Sequence, residues 1–260
     1  MNFENIVPHK SISLFVKSIL VFEQADKTQK TILPFFADGY PGLMYQDSEN
    51  GLLVSPHNKT MPTLFLYGQT IKPIQLILDG CYTLIIFQFY PFVLKSFFGV
   101  YPVDLNDDCY NLETSDNEEL KRIICELKNN SKIQDRISAI TSFLYSIFQI
   151  KQESLDFIIR QAIQIIMDCK GQISVSKLPA ELKIGQRTLE RRFLKEVGVS
   201  LKQFSKMIQF QSSLEQLTLQ DFKKLTDIVY TNGFADQSHF IKVFKAYTGK
   251  TPTAFYNRKE

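Results

Sequence analysis

The sequence predicts an α+β protein, with a β-rich amino-terminal part, a group of helices, and an all-α carboxy-terminal part of two helix-turn-helix units joined by a linker helix. Three observations support this prediction. Short apolar runs separated by Gly and Pro fill roughly the first hundred residues, as in a series of short strands. After Tyr90 the apolar spacing lengthens to three and four residues, the period of helices. In the last third, one helical pattern occurs twice, 51 residues apart.

The composition is that of an ordinary globular protein, with 44% hydrophobic and 22% charged residues in a chain of 260. No uncharged apolar run reaches about 18 residues, and the segment from Met1 to Lys10 lacks the apolar core of a signal peptide, so we expect a cytoplasmic chain with no membrane partner. Three histidines and four scattered cysteines show no metal-type spacing, so no metal site and no cofactor are expected. The cysteines are Cys81, Cys109, Cys125 and Cys169.

The net charge of +3 is distributed unevenly along the chain. Residues 171–260 carry 15 Lys and Arg against 8 Asp and Glu, a net charge of +7, whereas residues 1–170 have a net charge of −4. A basic last third on a mildly acidic body favours contact with a polyanion at one end. The alternative is that charge is simply scattered unevenly between domains, since the excess of basic residues in the last third is moderate.

Turn signals divide the first hundred residues into strands. Asp79-Gly80 separates the apolar runs 74–78 and 81–87, and Asn50-Gly51 separates 42–45 from 52–54. Both dipeptides are typical of two-residue hairpin turns, so each predicts a β-hairpin. A further strand is predicted over 63–67. Short strands of this kind predict a small barrel or a sandwich.

Helices are predicted to follow the strands. Pro91 to Phe98, closed by Gly99, indicates a short helix, and Ser115 with Glu118 predicts a capping box at the start of the next one. Longer helices are predicted at about 116–128, 132–149 and 154–169. The second has an apolar stripe that either packs on its own barrel or forms a dimer seam. The stripe consists of Ile133, Ile137, Ile140, Leu144 and Ile147.

These patterns divide the chain into three parts. Residues 1–112 form the β-rich, sensor-like part, residues 113–170 the helical linker with candidate dimerisation helices, and residues 171–260 the carboxy-terminal domain. The last boundary is placed at Gly171, a plausible residue just past a helix end, where the charge balance also changes sign.

The last third contains an internal repeat. Its two copies share three apolar residues and one glycine with spacings of 4, 5 and 6. These positions are Leu189, Phe193, Gly198 and Phe204 in the first copy, and Phe240, Phe244, Gly249 and Phe255 in the second. The first spacing puts two apolar side chains on one helix face, and the glycine ends the helix.

A shorter helix and a tight turn precede each copy, which is the helix-turn-helix arrangement. Val175 to Leu182 leads through Lys183-Ile184-Gly185 into Gln186, and Leu225 to Tyr230 leads through Asn232-Gly233-Phe234-Ala235 into Asp236. Asp236 is predicted to be the N-cap of the helix that follows. Residues 200–217 predict a linker helix of about 27 Å between the units.

The exposed faces of the second helix of each unit are polar and mostly cationic. The candidate DNA-binding residues are Gln186, Arg187, Glu190, Arg191 and Lys195 in the first unit, and Gln237, Ser238, His239, Lys242 and Lys245 in the second. Arg and Lys suit guanine edges, Gln suits adenine, and Glu can accept from cytosine. Each face alone would also fit a solvated surface, but two on a repeated frame favour double-stranded DNA.

With this repeated helix-turn-helix pattern, the sequence resembles the AraC/XylS family of bacterial transcription regulators, over about Ile173 to Arg258. The second copy is the most specific part: Ile228, then Gly233-Phe234-Ala235-Asp236-Gln237-Ser238-His239-Phe240, then Phe244-Lys245 and Thr248-Gly249-Lys250-Thr251-Pro252. The first copy matches through Arg187-Thr188-Leu189-Glu190-Arg191-Arg192-Phe193 and Val197-Gly198-Val199-Ser200. The chain departs from the family at Gly185, Val229 and Gln209, where Ser, Ala and a linker-helix Arg are usual.

The resemblance implies a sequence-specific regulator that places two recognition helices in adjacent major grooves. Its base-facing positions would be Arg187, Glu190 and Arg191, and then Gln237, His239 and Lys242. The amino-terminal half resembles the cupin-like sensor domains of some members, which implies a β-rich cupin-like barrel with helices that senses a ligand, dimerises, or both. RNA polymerase, a small-molecule effector and a second copy of the chain are the further partners considered.

No enzymatic activity is expected. The rival hypothesis is an enzyme with a DNA-binding module, such as a DNA-repair alkyltransferase that uses a cysteine nucleophile, and none of the four cysteines has a histidine nearby in sequence. A ligand-binding or interaction module with an incidental basic end is the other alternative. The sequence leaves open the operator, the effector, the oligomeric state and the choice between activation and repression.

Overall fold

The computed structural model describes residues 1–151 and 155–257. The predicted fold class is confirmed: strands and a few helices make up the amino-terminal half, and helices alone make up the carboxy-terminal third. The strands form two open antiparallel sheets with apolar side chains packed between them, so of the two predicted arrangements the sandwich is the one found.

Six strands form the larger sheet, in the order β1-β2-β9-β4-β7-β10. Their bounds are β1 Asn2–Ile6, β2 Val16–Gln24, β4 Gly42–Ser48, β7 Leu64–Tyr67, β9 Tyr82–Phe89 and β10 Cys109–Asn111. Four strands form the smaller sheet, in the order β3-β8-β5-β6. Their bounds are β3 Lys30–Phe35, β5 Leu52–Ser55, β6 Lys59–Met61 and β8 Ile74–Asp79.

Both predicted hairpins are wrong. β4 and β5 flank Asn50-Gly51 but lie in different sheets, and the same holds for β8 and β9 on either side of Asp79-Gly80. Gly51 and Gly80 have the expected positive φ, 81° and 83°, whereas Asn50 and Asp79 do not share it. A type I′ hairpin turn needs positive φ at both central residues, so these turns carry the chain across the sandwich.

Helices cover one face of the larger sheet and link it to the last third. A π-helical turn, Leu94–Phe98, ends at Gly99 as predicted, and a 3₁₀ turn spans Pro102–Leu105. Three longer helices follow: α1 Glu118–Asn129, α2 Ile133–Lys151 and α3 Phe157–Asp168. The start predicted for the third helix, at 154, lies outside the described residues.

The structure corrects the predicted cap of α1 and decides between the two alternatives for the apolar stripe of α2. The Ser115–Glu118 capping box is wrong, because the side chain of Asn117 is the N-cap and accepts from the backbone N–H of Glu119 at 2.8 Å. Asn caps a helix as well as Ser does, and it lies next to the first turn. The apolar stripe of α2 packs inside the chain, with Ile140 and Leu144 fully buried, so this face is not a free dimer seam.

The last third contains six helices within residues 171–257. Their bounds are α4 Leu178–Glu181, α5 Gln186–Val197, α6 Leu201–Thr218, α7 Leu225–Thr231, α8 Gln237–Thr248 and α9 Pro252–Tyr256. The predicted boundary at 171 stays a prediction. The helix just before it, α3, packs against α5 and α6.

One apolar core runs through both halves of the chain. It begins at Ile12, takes in the outer face of the larger sheet and α1 to α3, and continues to Tyr247 in α8. The loop after β3 lies where the two halves of the chain meet, since a methyl group built on Gly39 would lie 3.0 Å from Ile208 of α6. Within the described residues, no helix combines the length and apolarity needed to cross a membrane.

Candidate nucleic-acid interface

The two predicted helix-turn-helix units are present as α4–α5 and α7–α8. In each, the residue one past the C-cap of the first helix has left-handed φ, 53° at Lys183 and 68° at Gly233. The second turn is one residue longer: one residue separates Lys183 from the N-cap Gly185 in the first unit, whereas two residues separate Gly233 from the N-cap Asp236 in the second. Its carboxylate accepts from the backbone N–H of His239 at 2.7 Å, which confirms the predicted cap.

The repeated apolar residues anchor α5 and α8 to the linker helix α6. Phe193 of α5 packs on Phe204 with ring centroids 5.6 Å apart, and Phe244 of α8 packs on Phe210 at 5.5 Å. Because each second helix buries one side against α6, its opposite side faces solvent. A single rigid element therefore carries both exposed faces.

All five candidate residues of α5 are exposed. They are Gln186, Arg187, Glu190, Arg191 and Lys195. The side-chain amide of Gln186 donates to Glu190 Oε1 at 3.1 Å, which orders these two polar groups along the helix. Within the described residues, no carboxylate pairs with Arg187 or Arg191, so both guanidinium groups are available to an external acceptor.

Arg192 has a different role from its neighbour. Its guanidinium donates to both carboxylate oxygens of Asp156, the N-cap of α3, at 2.8 and 2.6 Å. A bidentate pair of this geometry fixes the orientation of both groups. Arg192 therefore ties α5 to α3 and lies outside the exposed cationic face.

Four of the five candidates on α8 are exposed, namely Gln237, Ser238, Lys242 and Lys245. His239 is half-buried, with its ring edge on Phe234 at a centroid distance of 5.7 Å. Its Nδ1 atom is buried and has no hydrogen-bond partner among the described residues. Only part of the imidazole is therefore open to a ligand, while the other four side chains are fully available.

Sequence reasoning missed Leu194. This side chain is 44% exposed and follows Arg187 and Arg191 at seven and three residues, so the three lie on one face of α5. An exposed apolar group among cations suits the methyl group of thymine. The repeat indicates this position, because Leu194 in the first copy aligns with Lys245, a candidate DNA-binding residue, in the second copy.

The departure from the family at Gln209 has a structural counterpart. Gln209 is buried in α6, and its side-chain amide donates to the carbonyl oxygens of Asn232 and Gly233 at 2.9 and 3.1 Å. Buried turn carbonyls need donors, and this amide supplies them. The linker helix thus holds the turn of the second unit without an arginine.

The exposed faces are suited to phosphate and base edges and not to metal binding. The α5 face has three cations and one carboxylate, and the α8 face adds Lys242 and Lys245. No group of three His, Cys, Asp or Glu that could hold a metal ion occurs in the part of the chain that the structure describes. The arrangement provides two separate cationic faces with hydrogen-bonding side chains.

Comparison with protein families identifies two segments of the chain. Residues 178–258 match the family described as Helix-turn-helix domain. Residues 4–111 match the family described as Domain of unknown function (DUF6597). No curated protein sequence matches the chain.

Solved structures provide further similarities. The chain is similar to ToxT from Vibrio cholerae O395, with 16% identity over 92% of this chain and 96% of that chain and a TM-score of 0.47. It is also similar to ToxT with a bound unsaturated fatty acid, with 16% identity over 98% and 97% and the same score. The carboxy-terminal domain of AraT, a response regulator from Geobacillus stearothermophilus, is 22% identical over 40% of this chain and 87% of that chain, with a TM-score of 0.38.

Proposed function

We propose that the chain is a DNA-binding transcription regulator of the AraC type, and that one chain reads two successive major grooves of a duplex with α5 and α8. The match of residues 178–258 to the family described as Helix-turn-helix domain supports this proposal. The observation that carries this proposal is the exposure of polar and cationic side chains on both helices, each held by its apolar side to α6. A helix about 10–12 Å wide fits the major groove, which is about 12 Å wide.

The length of α6 supports the use of adjacent grooves. Its 18 residues, Leu201–Thr218, span about 27 Å. Successive major grooves on one face of B-DNA are about 34 Å apart. α5 packs on Phe204 near the start of α6 and α8 packs on Phe210 near its middle, so the two exposed faces project from separate points along the linker.

Selection of binding sites from a random duplex pool, with the purified full chain, tests the proposal. We expect two conserved blocks with centres about 10 base pairs apart. Arg191→Ala should relax positions in one block only, and Lys242→Ala positions in the other only. A single block, or one variant altering both blocks, would contradict the two-groove proposal.

Salt dependence separates this function from that of a ligand-binding module with an incidental basic end. Release of counterions makes the affinity for any duplex fall steeply between about 50 and 200 mM salt. A flat response, or no binding at the lower concentration, would favour the alternative. The double variant Lys195→Ala and Lys245→Ala removes two exposed cations outside the base-facing positions and should have a shallower slope by about 2 units.

We also propose that the chain has no chemistry of its own. Burial raises the pKa of the Cys109 thiol, which disfavours the reactive thiolate form. Cys125 on α1 and Cys169, the C-cap of α3, are exposed, and Cys81 donates to the carbonyl oxygen of Ala25 at 3.0 Å. Incubation with a duplex that contains O6-methylguanine should transfer no methyl group to any cysteine, as measured by mass spectrometry.

The amino-terminal half is proposed to regulate DNA binding by sensing a small molecule. The support is a cavity of about 430 Å³ between the two sheets, a size that suits a small ligand. Dimerisation and contact with RNA polymerase remain separate proposals. The buried stripe of α2 does not support a dimer seam at that position. Sedimentation of the full chain at several concentrations measures whether it dimerises by another surface.

A further inference from the structure

The exposed face of α5 ends at a glycine that the amino-terminal half covers. Four residues of this face follow one another at steps of four, three and four, namely Arg187, Arg191, Leu194 and Gly198. Residues at such steps lie on one side of an α-helix. The first three are exposed, whereas Gly198, the C-cap of α5, is buried. The face with the candidate base contacts therefore runs into another part of the chain, residues 100–106, here called the docked loop.

Three contacts hold the docked loop and the turn before it at this end of α5. A methyl group built on Gly198 would lie 2.7 Å from the carbonyl carbon of Pro102. The side-chain amide of Asn106 donates to the carbonyl oxygen of Gly198 at 2.8 Å. An ion pair between Lys95 and Glu196 lies beside these two contacts. The loop and the helix end are therefore fixed relative to each other.

The equivalent glycine of the second unit is more open. Gly249 is the C-cap of α8 and corresponds to Gly198 in the repeat. It is exposed, and a methyl group built on it would lie 4.0 Å from Cγ of Pro73, an ordinary van der Waals distance. Close docking of the amino-terminal half on the end of a reading face is thus a feature of the first unit.

The docked loop exposes two polar side chains, those of Tyr101 and Asp104. Tyr101 is 52% exposed and precedes the 3₁₀ turn Pro102–Leu105. The backbone N–H of Asp104 donates to the carbonyl oxygen of Tyr101 at 3.1 Å, which keeps the two residues together. Pro102 and Leu105 are buried and anchor the turn. A hydroxyl group and a carboxylate therefore face solvent next to the end of α5.

The end of α5 lies close to the DNA backbone when the start of this helix reads bases. In helix-turn-helix proteins, the amino-terminal residues of the second helix contact the base edges. The 12 residues of α5 span about 18 Å, whereas the major groove is about 12 Å wide. The carboxy-terminal end of a helix that lies across the groove therefore leaves it beside the phosphates of one strand. The docked loop occupies this end.

We propose that the docked loop is part of the DNA interface. Tyr101 donates a hydrogen bond to a phosphate oxygen at the outer edge of the base pairs that α5 reads, and the carboxylate of Asp104 limits how closely this strand approaches. The proposal rests on the proposed function, because α5 is one of its two reading helices. Contacts to phosphate position a protein on the duplex without reading sequence, so the amino-terminal half contributes affinity and register.

Photo-crosslinking of the full chain tests the location. The photoreactive residue p-benzoylphenylalanine replaces Tyr101, Leu194 or Phe3 in three separate variants, and each is irradiated with the selected duplex. Phe3 is the control, because its exposure of 54% is similar but it lies on the edge strand β1. We expect crosslinks from Leu194 inside the block that α5 reads, from Tyr101 at the outer edge of this block, and none from Phe3. Crosslinks from Leu194 without any from Tyr101 would overturn the loop contact.

Removal of the hydroxyl group tests the hydrogen bond. Tyr101→Phe should weaken binding to the selected duplex and to random duplexes by the same factor, about three- to tenfold, and keep the base preference. Tyr145→Phe, which removes an exposed hydroxyl group from α2, is the control and should keep both affinities. Unchanged affinities in Tyr101→Phe would overturn the phosphate contact.

A change of charge tests Asp104. Asp104→Asn should tighten binding to both kinds of duplex by about two- to fivefold at about 50 mM salt, and by less at about 200 mM, because salt screens the repulsion between carboxylate and phosphate. Asp79→Asn makes the same change of charge at the end of β8 and should keep both affinities. Equal gains in the two variants would assign the effect to net charge and overturn the role of Asp104.

The outcomes separate this proposal from the proposed function. Crosslinks from Leu194 alone would leave DNA reading by α5 intact and remove the docked loop from the interface. Crosslinks from Tyr101 inside the block that α8 reads would overturn the placement of the loop at the end of α5. Failure of every variant and of the parent to bind any duplex at either salt concentration would contradict the proposed function itself.

Discussion

The side-chain amide of Gln209 donates a hydrogen bond to the carbonyl oxygen of Gly233, at 3.1 Å. The same amide donates to the carbonyl oxygen of Asn232 at 2.9 Å, so one side chain of the linker helix holds the whole turn. Gln209→Ala would leave both carbonyl groups without this donor and should lower the free energy of unfolding by about 1–3 kcal/mol, measured by urea denaturation. Gln209→Arg restores donors and should lose less. Equal stability of Gln209→Ala and the parent would contradict this role.

Gly233 should tolerate no β-branched residue. Its φ is +68°, and a Cβ atom built there would lie 3.0 Å from Oε1 of Gln172. Gly233→Val is expected to cost about 1–3 kcal/mol in stability and to weaken binding to the selected duplex. Gly51→Val is the control, because Gly51 has φ +81° and lies in the turn between β4 and β5 of the sandwich. Gly51→Val should lose stability and keep the DNA affinity of its folded form.

Arg191 should be a base contact. Arg191→Ala is expected to cost about 1–3 kcal/mol on the selected duplex and to relax one base position. The adjacent Arg192→Ala is the matched control: it breaks the pair with Asp156 and should lower the melting temperature without changing base preference. If Arg191→Ala weakens specific and random duplexes equally, Arg191 contacts phosphate instead.

Glu190 should discriminate between sequences and not add affinity. A carboxylate that approaches phosphates costs binding energy on every duplex, whereas acceptance from cytosine N4 favours one base. Glu190→Gln should therefore bind random duplexes more tightly and prefer the selected duplex less, measured as the ratio of the two dissociation constants. A ratio that does not fall would assign Glu190 to the helix surface, where it accepts from Gln186.

Asp38 should make stability fall as pH rises. Desolvation raises the pKa of Asp38 to about 6, although its carboxylate accepts from Tyr40 N–H at 3.0 Å and Gln88 Nε2 at 2.7 Å. The unfolded value is about 3.9, so between the two values the folded chain binds the additional proton and is stabilised at lower pH. Relative to the non-titrating Asp38→Asn, the parent should lose about 1–3 kcal/mol of unfolding free energy between pH 4 and pH 7. A constant difference between the two proteins over this range would contradict the raised pKa.

The sequence predicted the helical third well because its signals are local. The N-cap at Asp236 and the positive φ at Gly233 depend on neighbours within a few residues. The pairing of Arg192 with Asp156 depends on two residues 36 positions apart, so no spacing rule indicates it. The candidate DNA-binding residues also remain predictions, because exposure alone does not identify a base contact.

The sandwich was less predictable, for a similar reason. The positive φ of Gly51 and Gly80 follows from the turn dipeptides, but the sheet that each flanking strand joins depends on the burial of both strand faces. β7 illustrates this: Leu64 and Leu66 join the core under the helices, while Phe65 faces the smaller sheet. A strand that is apolar on both faces gives no alternation from which its partner sheet can be predicted.

The apolar core that runs from Ile12 to Tyr247 limits how freely the two halves of this chain can be exchanged with those of other proteins. A chimera that joined α4 to α9 to a foreign sensor would have to cover Ile208 and Phe204, which Gly39 now approaches. A substitution on one side of this contact therefore requires a matching substitution on the other side. New specificity can arise on α5 and α8 in one half, or on the cavity wall in the other half. In both cases the contact between Gly39 and the side chains of Ile208 and Phe204 has to be preserved.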